Sequence, residues 1–345
     1  MGASCVCNNA TQLLTETRQE VESSSKPESI SVCHPKDMQE AFAPEPHPVF
    51  DAVQLEPIPE SPVKTSASPP KLREAPTLTL QFVPLTLDTL EPLEDGVPVK
   101  DYGPITMEDH TKYTGEWNFS GQRHGRGDER QPDGTVYIGH FQYDQRTGYG
   151  RLESSDGSVF QGRFTSGLPS GLGYFKHTNK SEYHGEFVNG LQHGPGKEVY
   201  PDGSWYEGNF AKGQKSGHGV FHWSTGKEYT GEFENDQMNG YGECVWPDLK
   251  SYSGPWKDGM MHGDTGAFQW PDGKKYQGQY KRNQKHGEGI FYWPNGRFYN
   301  GRWKNGVQHG EGVLMQQDTE GNYLPTRGRW AKGALVEEFT QRSPA

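Results

Sequence analysis

The hydrophobic positions of this chain recur in a fixed order every 23 or 24 residues. An aromatic residue, a glycine and a second aromatic residue stand at alternate positions, as in Tyr206, Gly208 and Phe210, and a further pair such as Phe221 and Trp223 follows with the same alternation. Period two places such residues on one face of a β-strand. A fixed period in this range indicates a repeat architecture in which each unit contributes two strands.

Turn signals separate the two-strand units. Between the apolar runs stand dipeptides that favour positive φ, for example Asp202-Gly203 and Asp272-Gly273. Each unit is therefore predicted to be a β-hairpin, with an Asp-Gly turn leading into the next hairpin. The full units start at Tyr113, Tyr137, Phe160, Tyr183, Tyr206, Tyr229, Tyr252, Tyr276 and Tyr299.

The predicted fold class is all-β: an elongated, solenoid-like array of β-hairpins that forms one twisted antiparallel sheet, preceded by a disordered N-terminal arm. We divide the chain into a Ser-, Pro- and Glu-rich acidic arm (1–75), an extended docking or linker segment (76–102), the array itself (103–333) and a C-terminal tail (334–345). The array holds about nine full units with partial units at its ends, as expected of capping repeats.

Glycine inside a strand costs roughly 0.5–1 kcal/mol, so its recurrence needs a reason. We expect the repeat glycines to leave slots into which aromatic rings from neighbouring hairpins pack, an arrangement that is favourable only when units stack. The glycines predicted to have this structural role are Gly185, Gly194, Gly196, Gly208, Gly217, Gly219, Gly231, Gly240 and Gly242.

Composition supports an array over compact domains. Only 31% of residues are hydrophobic, mean hydropathy is −0.94, and there are 45 glycines and 25 prolines. The net charge of −11 falls mainly on the first 105 residues, which carry −9, and the remainder is nearly neutral. A near-neutral array offers no general attraction for nucleic acid, so no nucleic-acid partner is predicted.

The first residues resemble an acylation signal. Gly2 follows the initiating Met, and Cys5 and Cys7 are close behind; myristoylation favours Ser or Thr at position 6, where this chain has Val6. We take Gly2 as a candidate for myristoylation and Cys5 and Cys7 as candidates for palmitoylation, since one acyl chain alone anchors weakly. An unmodified terminus is the alternative.

Catalytic, cofactor and metal sites are not predicted. A histidine recurs at one position of the unit, as in His193 and His309, but a histidine beside glycine is more often structural than a metal ligand. Gly196-Lys197 lacks the Ser or Thr of a nucleotide-binding loop. Four irregularly spaced cysteines fit reduced thiols better than a disulfide framework, and neither a signal peptide nor a membrane-spanning helix is expected.

The units resemble MORN repeats, whose pattern is Tyr-x-Gly-x-[Phe/Trp]-x-x-Gly-x-x-His-Gly-x-Gly followed by Asp-Gly. The unit from Tyr183 carries each glycine and histidine of this pattern, including Gly190, His193, Gly194 and Gly196. The resemblance spans roughly residues 103–333. It implies a rod-like hairpin array that acts as a scaffold, with protein-binding, self-associating or membrane-associated relatives.

The leading functional hypothesis is a non-enzymatic, cytoplasmic scaffold that binds protein partners on its aromatic face and is tethered to a membrane by its acylated terminus. Alternatives are a phosphoinositide-binding module, an axonemal or cytoskeletal component, and an accessory subunit that regulates an enzyme in trans; self-association is a further expectation. The residues predicted to form the partner-binding face are Tyr183, Phe187, Tyr206, Phe210, Trp223, Tyr229, Phe233, Trp246, Tyr252, Trp256, Trp270, Tyr276 and Trp293.

Overall fold

The computed structural model describes residues 85–339. Within that range a short 3-10 helix (Leu87–Thr89) precedes one open antiparallel sheet, in which strands that follow each other along the chain are neighbours. The strands are β1 (Val99–Thr106), β2 (Lys112–Asn118), β3 (Arg123–Arg130), β4 (Val136–Gln142), β5 (Gln145–Glu153), β6 (Val159–Thr165), β7 (Leu168–Lys176), β8 (Glu182–Val188), β9 (Leu191–Val199), β10 (Trp205–Ala211), β11 (Gln214–His222), β12 (Glu228–Glu234), β13 (Gln237–Val245), β14 (Ser251–Lys257), β15 (Met260–Met261), β16 (Gly263–Gln269), β17 (Lys275–Lys281), β18 (Gln284–Tyr292), β19 (Phe298–Lys304), β20 (Val307–Gln317), β21 (Tyr323–Ala331) and β22 (Ala334–Glu338).

The hairpin prediction and the all-β class are confirmed, and the ends of the sheet lie further out than the sequence indicated. β1 already pairs with β2 from Val99, and β22 continues the sheet from Ala334 to Glu338, so residue 103 falls within β1 and residue 333 falls in the turn before β22. Both terminal strands satisfy backbone groups of the adjacent complete hairpin. Of the predicted arm and linker, residues 1–84 lie outside the described range.

A row of glycines crosses the sheet at one register. Gly196 faces Gly185 on one side and Gly208 on the other, and Gly208 in turn faces Gly219. The same pairing recurs from Gly115 to Gly328. Tyrosine, glycine and aromatic side chains at alternate positions of each first strand therefore share one face, which we call the ring face; the other is the opposite face.

Two kinds of turn connect the strands. Within each unit after the first, two residues of positive φ join the strands, such as Lys212 (φ 52°) and Gly213 (φ 82°), the pattern of a type I′ turn. Between units only the last residue has positive φ: at Gly203 it is 86°, and the Gly203 N–H donates to the Tyr200 carbonyl. The Asp-Gly pairs thus lead from one hairpin to the next, as predicted.

One second strand is interrupted. β15 and β16 lie on either side of His262 and together pair with β14. The sequence has an extra residue at Thr265, and the register with β17 shifts between Gly263 and Gly266. The additional residue is absorbed as a local irregularity, which leaves the glycine row intact on both sides.

Candidate functional site: the two faces of the array

The ring face carries one continuous series of edge-to-face aromatic contacts, which we call the ring ladder. Successive centroids lie 4.9–5.4 Å apart and successive planes are inclined by 72–90°. Each contact of this kind contributes about 0.5–1.5 kcal/mol beyond the area it buries. In order, the rings are Trp117, Tyr113, Phe141, Tyr137, Phe164, Phe160, Phe187, Tyr183, Phe210, Tyr206, Phe233, Tyr229, Trp256, Tyr252, Tyr280, Tyr276, Trp303, Tyr299 and Trp330.

The tyrosines of the ring ladder are anchored at their hydroxyls. Tyr206 donates to the Asn209 carbonyl at 2.9 Å, and the seven equivalent tyrosines donate to the carbonyl three residues on at 2.9–3.1 Å. In each such unit the strand register shifts beside the accepting residue, as between Gly208 and Phe210. Burial raises the pKa of Tyr206 to about 12. These phenols are structural hydrogen-bond donors.

The glycine row is the floor on which the tyrosines lie. A Cβ at Gly219 would come within 2.5–2.6 Å of three atoms of the Tyr206 ring, and one at Gly196 would overlap the Tyr183 ring. The space beside these glycines is filled by rings, mainly by the ring of the same hairpin and not, as the sequence led us to expect, by the ring of a neighbour. Neighbouring rings add contacts in some units, as Tyr280 does at Gly266.

The nine predicted structural glycines fall into two groups. Gly185, Gly196, Gly208, Gly219, Gly231 and Gly242 belong to the glycine row. The other three, Gly194, Gly217 and Gly240, have φ of 60–74° and lie two residues before the row. A Cβ at Gly194 would come 2.9 Å from Glu186 Oε2, so these glycines accommodate side chains of the opposite face.

Most of the predicted partner-binding rings are core residues, which corrects the sequence interpretation. Eleven of the thirteen are buried, with exposed fractions from 0% for Tyr183 to 8% for Trp246. Trp270 and Trp293 are partly buried. The rings pack against one another, so little of their area remains exposed for a partner to contact at the ring face. The alternation in the sequence places these residues on one face, but it does not show that their rings bury one another.

Charged side chains interrupt the ring face in its first half. Glu129 Oε2 lies 2.9 Å from Arg146 Nε, and Glu129 Oε1 lies 3.4 Å from Arg123 Nη1. The Arg146 guanidinium lies 5.0 Å from the Tyr137 ring centroid. Glu129 occupies the place that Phe221 takes in its unit, and the alternation of aromatic residues in the sequence does not reveal it.

A second ionic cluster centres on Glu198. Its Oε2 lies 2.5 Å from the Tyr200 hydroxyl and 3.3 Å from Lys215 Nζ, and Lys215 Nζ lies 3.6 Å from Asp236 Oδ1. Burial alone would raise the pKa of Glu198, but Lys215 and Tyr200 together hold it below its usual value. Burial lowers the pKa of the nearby His177. The charges are compensated within the cluster, which is the condition for tolerating them beside rings.

In the last units, cations pack on tryptophans near the turns. Lys227 Nζ lies 4.1 Å from the Trp223 ring centroid, and the Arg297 guanidinium lies 4.3 Å from that of Trp293. Burial lowers the pKa of Lys227. Earlier units carry Ser or Thr at this position, as at Ser204. Cation–π packing of this kind contributes about 0.5–2 kcal/mol according to its desolvation.

The opposite face carries exposed apolar residues at the middle position of Gly-x-Gly. Tyr149 is 43% exposed, Leu172 71% and Tyr241 56%. The hydroxyl of Tyr149 accepts from Gln161 Nε2 at 3.1 Å, and that of Tyr241 lies 3.1 Å from Ser253 Oγ, so both rings are held on the sheet surface. The alternation of aromatic residues does not mark this position, but its two flanking glycines do.

Residues 85–98, which we call the strap, lie against the first units. Asp95 Oδ2 is 2.7 Å from His124 Nε2 and accepts from Gln142 Nε2 at 3.2 Å. His140 Nε2 lies 2.7 Å from the Glu91 carbonyl oxygen, and Leu90 is buried. The Val97 N–H, followed by His124 and Gln142, lowers the pKa of Asp95 against the effect of its burial. These contacts join Glu91 and Asp95 of the strap to His124, His140 and Gln142 of the sheet.

Several predictions concern chemistry rather than packing. Within residues 85–339 no group of three or more His, Cys, Asp or Glu side chains is arranged to hold a metal ion, and no helix there is long and apolar enough to cross a membrane. Cys244 is buried, which raises the pKa of its thiol to about 12. The lipidation candidates Gly2, Cys5 and Cys7 lie outside the described residues.

Comparisons with solved structures and curated sequences add little. Similar solved structures include the TCP domain of Drosophila melanogaster SAS-4 with a proline-rich motif of Ana2 (12% identity, covering 58% of this chain and 99% of that one, TM-score 0.29), a streptogramin B lyase (12%, 70% and 88%, 0.14) and an inactive virginiamycin B lyase from Staphylococcus aureus with quinupristin (13%, 74% and 74%, 0.12). With TM-scores this low, none supports an argument. A search of curated proteins found no match.

The comparison with protein families is decisive. The MORN repeat profile matches nine consecutive segments between residues 113 and 318, and each match begins at the first aromatic residue of a unit, as at residues 183–205 and 206–228. The matched segments cover more than half of the chain and coincide with the hairpins that the ring ladder joins. The chain therefore belongs to the MORN repeat family.

Proposed function

We propose that the chain is a non-enzymatic scaffold that binds protein partners along its hairpin array. The observation that carries the proposal is the ring ladder. Because each unit buries its rings against the next, all units share one register, and equivalent side chains on the opposite face recur at steps of about 9.6 Å, two strand spacings. A partner that spans several units meets a regular row of equivalent positions.

The proposed contact surface is the exposed row on the opposite face. Tyr149 and Leu172 are one unit apart, and Tyr241 lies three units further on, so the row spans about 40 Å. Exposed aromatic and apolar side chains held by glycine-flanked backbone are suitable anchors, since they need little ordering on binding. This surface replaces the ring face, whose aromatic area is already buried.

Proximity labelling with the full chain as bait tests the surface. In the double variant Tyr149→Ser with Leu172→Ser, the recovery of labelled partners should fall by about tenfold or more. A loss of this size corresponds to the removal of at least one hot-spot contact. The control, Leu249→Ser with Val336→Ser, removes apolar residues of similar exposure at a turn and an edge strand. Equal recovery of partners by both variants would show that the row is not the contact surface.

We further propose that acylation at Gly2, supported by Cys5 or Cys7, tethers the array to a cytoplasmic membrane face. The support is the N-terminal sequence, together with the weak anchoring of a single acyl chain. Gly2→Ala should move the full chain from the membrane to the soluble fraction, and Cys5→Ser with Cys7→Ser should move part of it. Membrane binding that survives Gly2→Ala and is released by salt would instead favour lipid binding by the array. Retention of the Gly2→Ala variant with the detergent-resistant cytoskeleton would favour a structural role.

A further inference from the structure

The strap shows how the opposite face holds an acidic segment. The Asp95 carboxylate bridges two side chains that face each other in the register of β3 and β4. Its Oδ2 lies 2.7 Å from His124 Nε2 and accepts from Gln142 Nε2 at 3.2 Å. On β4, His140 Nε2 lies 2.7 Å from the main-chain oxygen of Glu91. One carboxylate and one carbonyl of the strap are therefore bound by side chains that stand close to the within-unit turns.

The bridging pair of positions recurs along the array, and its residues change. The strand register places His262 opposite Lys281, and His286 opposite Lys304. Lys257 has the same position in the preceding unit. We call the three exposed lysines Lys257, Lys281 and Lys304 the lysine row. In the earlier units this position holds no lysine, and its residues are Asn118, Gln142, Thr165, Val188, Ala211 and Glu234.

We propose that the lysine row binds an acidic segment of a protein partner, with carboxylates where Asp95 lies in the first units. Binding of such a segment is part of the proposed scaffold function, on which this inference rests. A lysine ammonium donates a stronger hydrogen bond to a carboxylate than the neutral amide of Gln142 does, and a neutral histidine beside it retains one N–H to donate. Arg302 stands where His140 holds a strap carbonyl, so it supplies a donor for the main chain of the segment.

The charges around the lysine row suit a carboxylate. Arg282, exposed in the turn after Lys281, adds a further cation. Asp258 is the acidic residue in the turn after Lys257. Glu288, on a neighbouring strand, lies with its Oε1 3.9 Å from the Nε of its own arginine partner, and the carboxylate of Asp264 accepts from a glutamine amide at 3.1 Å. The excess of cations at this end of the strands attracts an acidic segment.

The spacing of the lysine row selects the conformation of the segment. Its lysines recur at steps of about 9.6 Å, two strand spacings. A polyproline II helix has three residues per turn and rises about 3.1 Å per residue, so every third side chain returns to the same side after about 9.3 Å. In a β-strand the third side chain would point to the other face. We therefore expect a polyproline II segment that crosses the strands, with Asp or Glu at every third position.

Peptide binding to the full chain tests the site. The probe is a fluorescein-labelled peptide made of Glu-Pro-Pro repeats, long enough to reach all three lysines. The reference peptide has the same composition with its glutamates consecutive. By fluorescence anisotropy at low ionic strength, the repeat peptide should bind about fivefold or more tightly than the reference, because its carboxylates match the lysines one by one. Equal affinity for the two peptides would overturn the proposal.

Two double variants locate the binding. Lys281→Gln with Lys304→Gln restores the neutral amide found at Gln142 and should weaken the repeat peptide by about fivefold or more. The control, Lys112→Gln with Lys275→Gln, removes two exposed strand lysines away from the row and should change the affinity less than about twofold. Equal losses in both variants would reduce the effect to net charge and overturn the site.

Vesicles that contain phosphatidylserine separate a peptide site from a lipid site. If the native chain binds these vesicles through Lys281 and Lys304 but does not bind the repeat peptide, the row contacts lipid headgroups and the proposal is wrong. The variant Tyr149→Ser with Leu172→Ser should bind the repeat peptide as the native chain does. Failure of the peptide to bind therefore overturns the lysine row alone, whereas retention of partners by that variant overturns the exposed apolar row alone.

Discussion

The glycines of the glycine row, except Gly115 and Gly328 at its ends, are each covered by a particular ring. The Tyr183 phenol lies across Gly185 and Gly196 because its hydroxyl must reach the Glu186 carbonyl at 3.1 Å, and any Cβ at those two positions would intrude on the ring. Gly196 has no positive φ, so its need for glycine is steric and not conformational. The recurrent glycines therefore mark contact with rings rather than flexibility.

Gly196→Ala should lower the free energy of unfolding by about 1–3 kcal/mol, because the added methyl group forces the Tyr183 ring off its site. Gly103→Ala is the matched control: Gly103 also lacks positive φ, and a Cβ there meets nothing within 4 Å. The control should change stability by less than about 1 kcal/mol, in the stabilising direction. Urea unfolding of both chains measures the difference; equal midpoints would refute the steric account.

At the scale of the element, the hairpin turns also bind one another. Gly213 N donates to the carbonyl of Gln192 in the preceding unit at 2.9 Å, and the same bond recurs from Asp144 to Gly333. Where the second turn residue is not glycine, its side chain adds a bond: Asp236 Oδ1 accepts from the Lys215 N–H at 2.9 Å. Aspartate and asparagine at this position thus combine tolerance of positive φ with an inter-unit contact.

Asp236→Ala should destabilise the array by about 1–2 kcal/mol, since it removes the acceptor of the Lys215 N–H and one partner of the Lys215 ammonium. Asn235→Ala, at the other positive-φ residue of the same turn, controls for backbone strain. Hydrogen exchange at Lys215 N–H should accelerate in the first variant and not in the second. Equal exchange rates would assign the effect to strain.

One turn departs from the common pattern in a way that can be corrected. Leu249 has φ of 65° at the position that Gly226 and Gly273 occupy in neighbouring turns, and its side chain is 50% exposed. A left-handed conformation costs a residue with a Cβ about 1–2 kcal/mol. Leu249→Gly should therefore raise the unfolding midpoint by the equivalent of about 1 kcal/mol, and Gly226→Leu should lower it. A decrease with Leu249→Gly would mean that the leucine makes a compensating contact.

At the scale of the whole molecule, the ring ladder makes stability collective and sensitive to alkaline pH. Burial raises the pKa of Tyr206 to about 12, and it also raises the pKa of other ladder tyrosines such as Tyr183 and Tyr229. In the unfolded chain these phenols ionise near pH 10. The buried, neutral phenols therefore make their full contribution to the free energy of unfolding below pH 10. This contribution is lost as the pH rises toward 12, and for Tyr206 the loss is about 3 kcal/mol.

The free energy of unfolding should therefore fall steeply between pH 10 and pH 12, as measured by urea denaturation with simultaneous recording of phenolate absorbance. Phenolate absorbance of the ladder should appear together with unfolding and not before it. Full ionisation of the ladder while the sheet persists would contradict the burial argument.

Much of this architecture could be predicted from the sequence, because it follows from period and turn chemistry. The alternation of Tyr206, Gly208 and Phe210 predicted a strand with one aromatic face, and Asp202-Gly203 predicted the connection to it. The sequence did not reveal that Tyr206 would cover its own glycines, because a strand pattern gives the face of a side chain but not its tilt. Nor did it reveal the pairing of His140 with Glu91, since that contact joins a side-chain nitrogen to a main-chain oxygen 49 residues away in the sequence.

The unit-to-unit contacts also bear on how such a chain can change in length. Each ladder ring contacts its own hairpin and the next, as Phe210 contacts Tyr206 and Tyr183, and the glycine row keeps one register throughout. Duplication of a 23-residue unit would reproduce both junctions without a new core. The array can be lengthened or shortened in increments of about 9.6 Å. Gain or loss of whole units can therefore change the length of the array in inherited steps, while every contact between interior units is preserved.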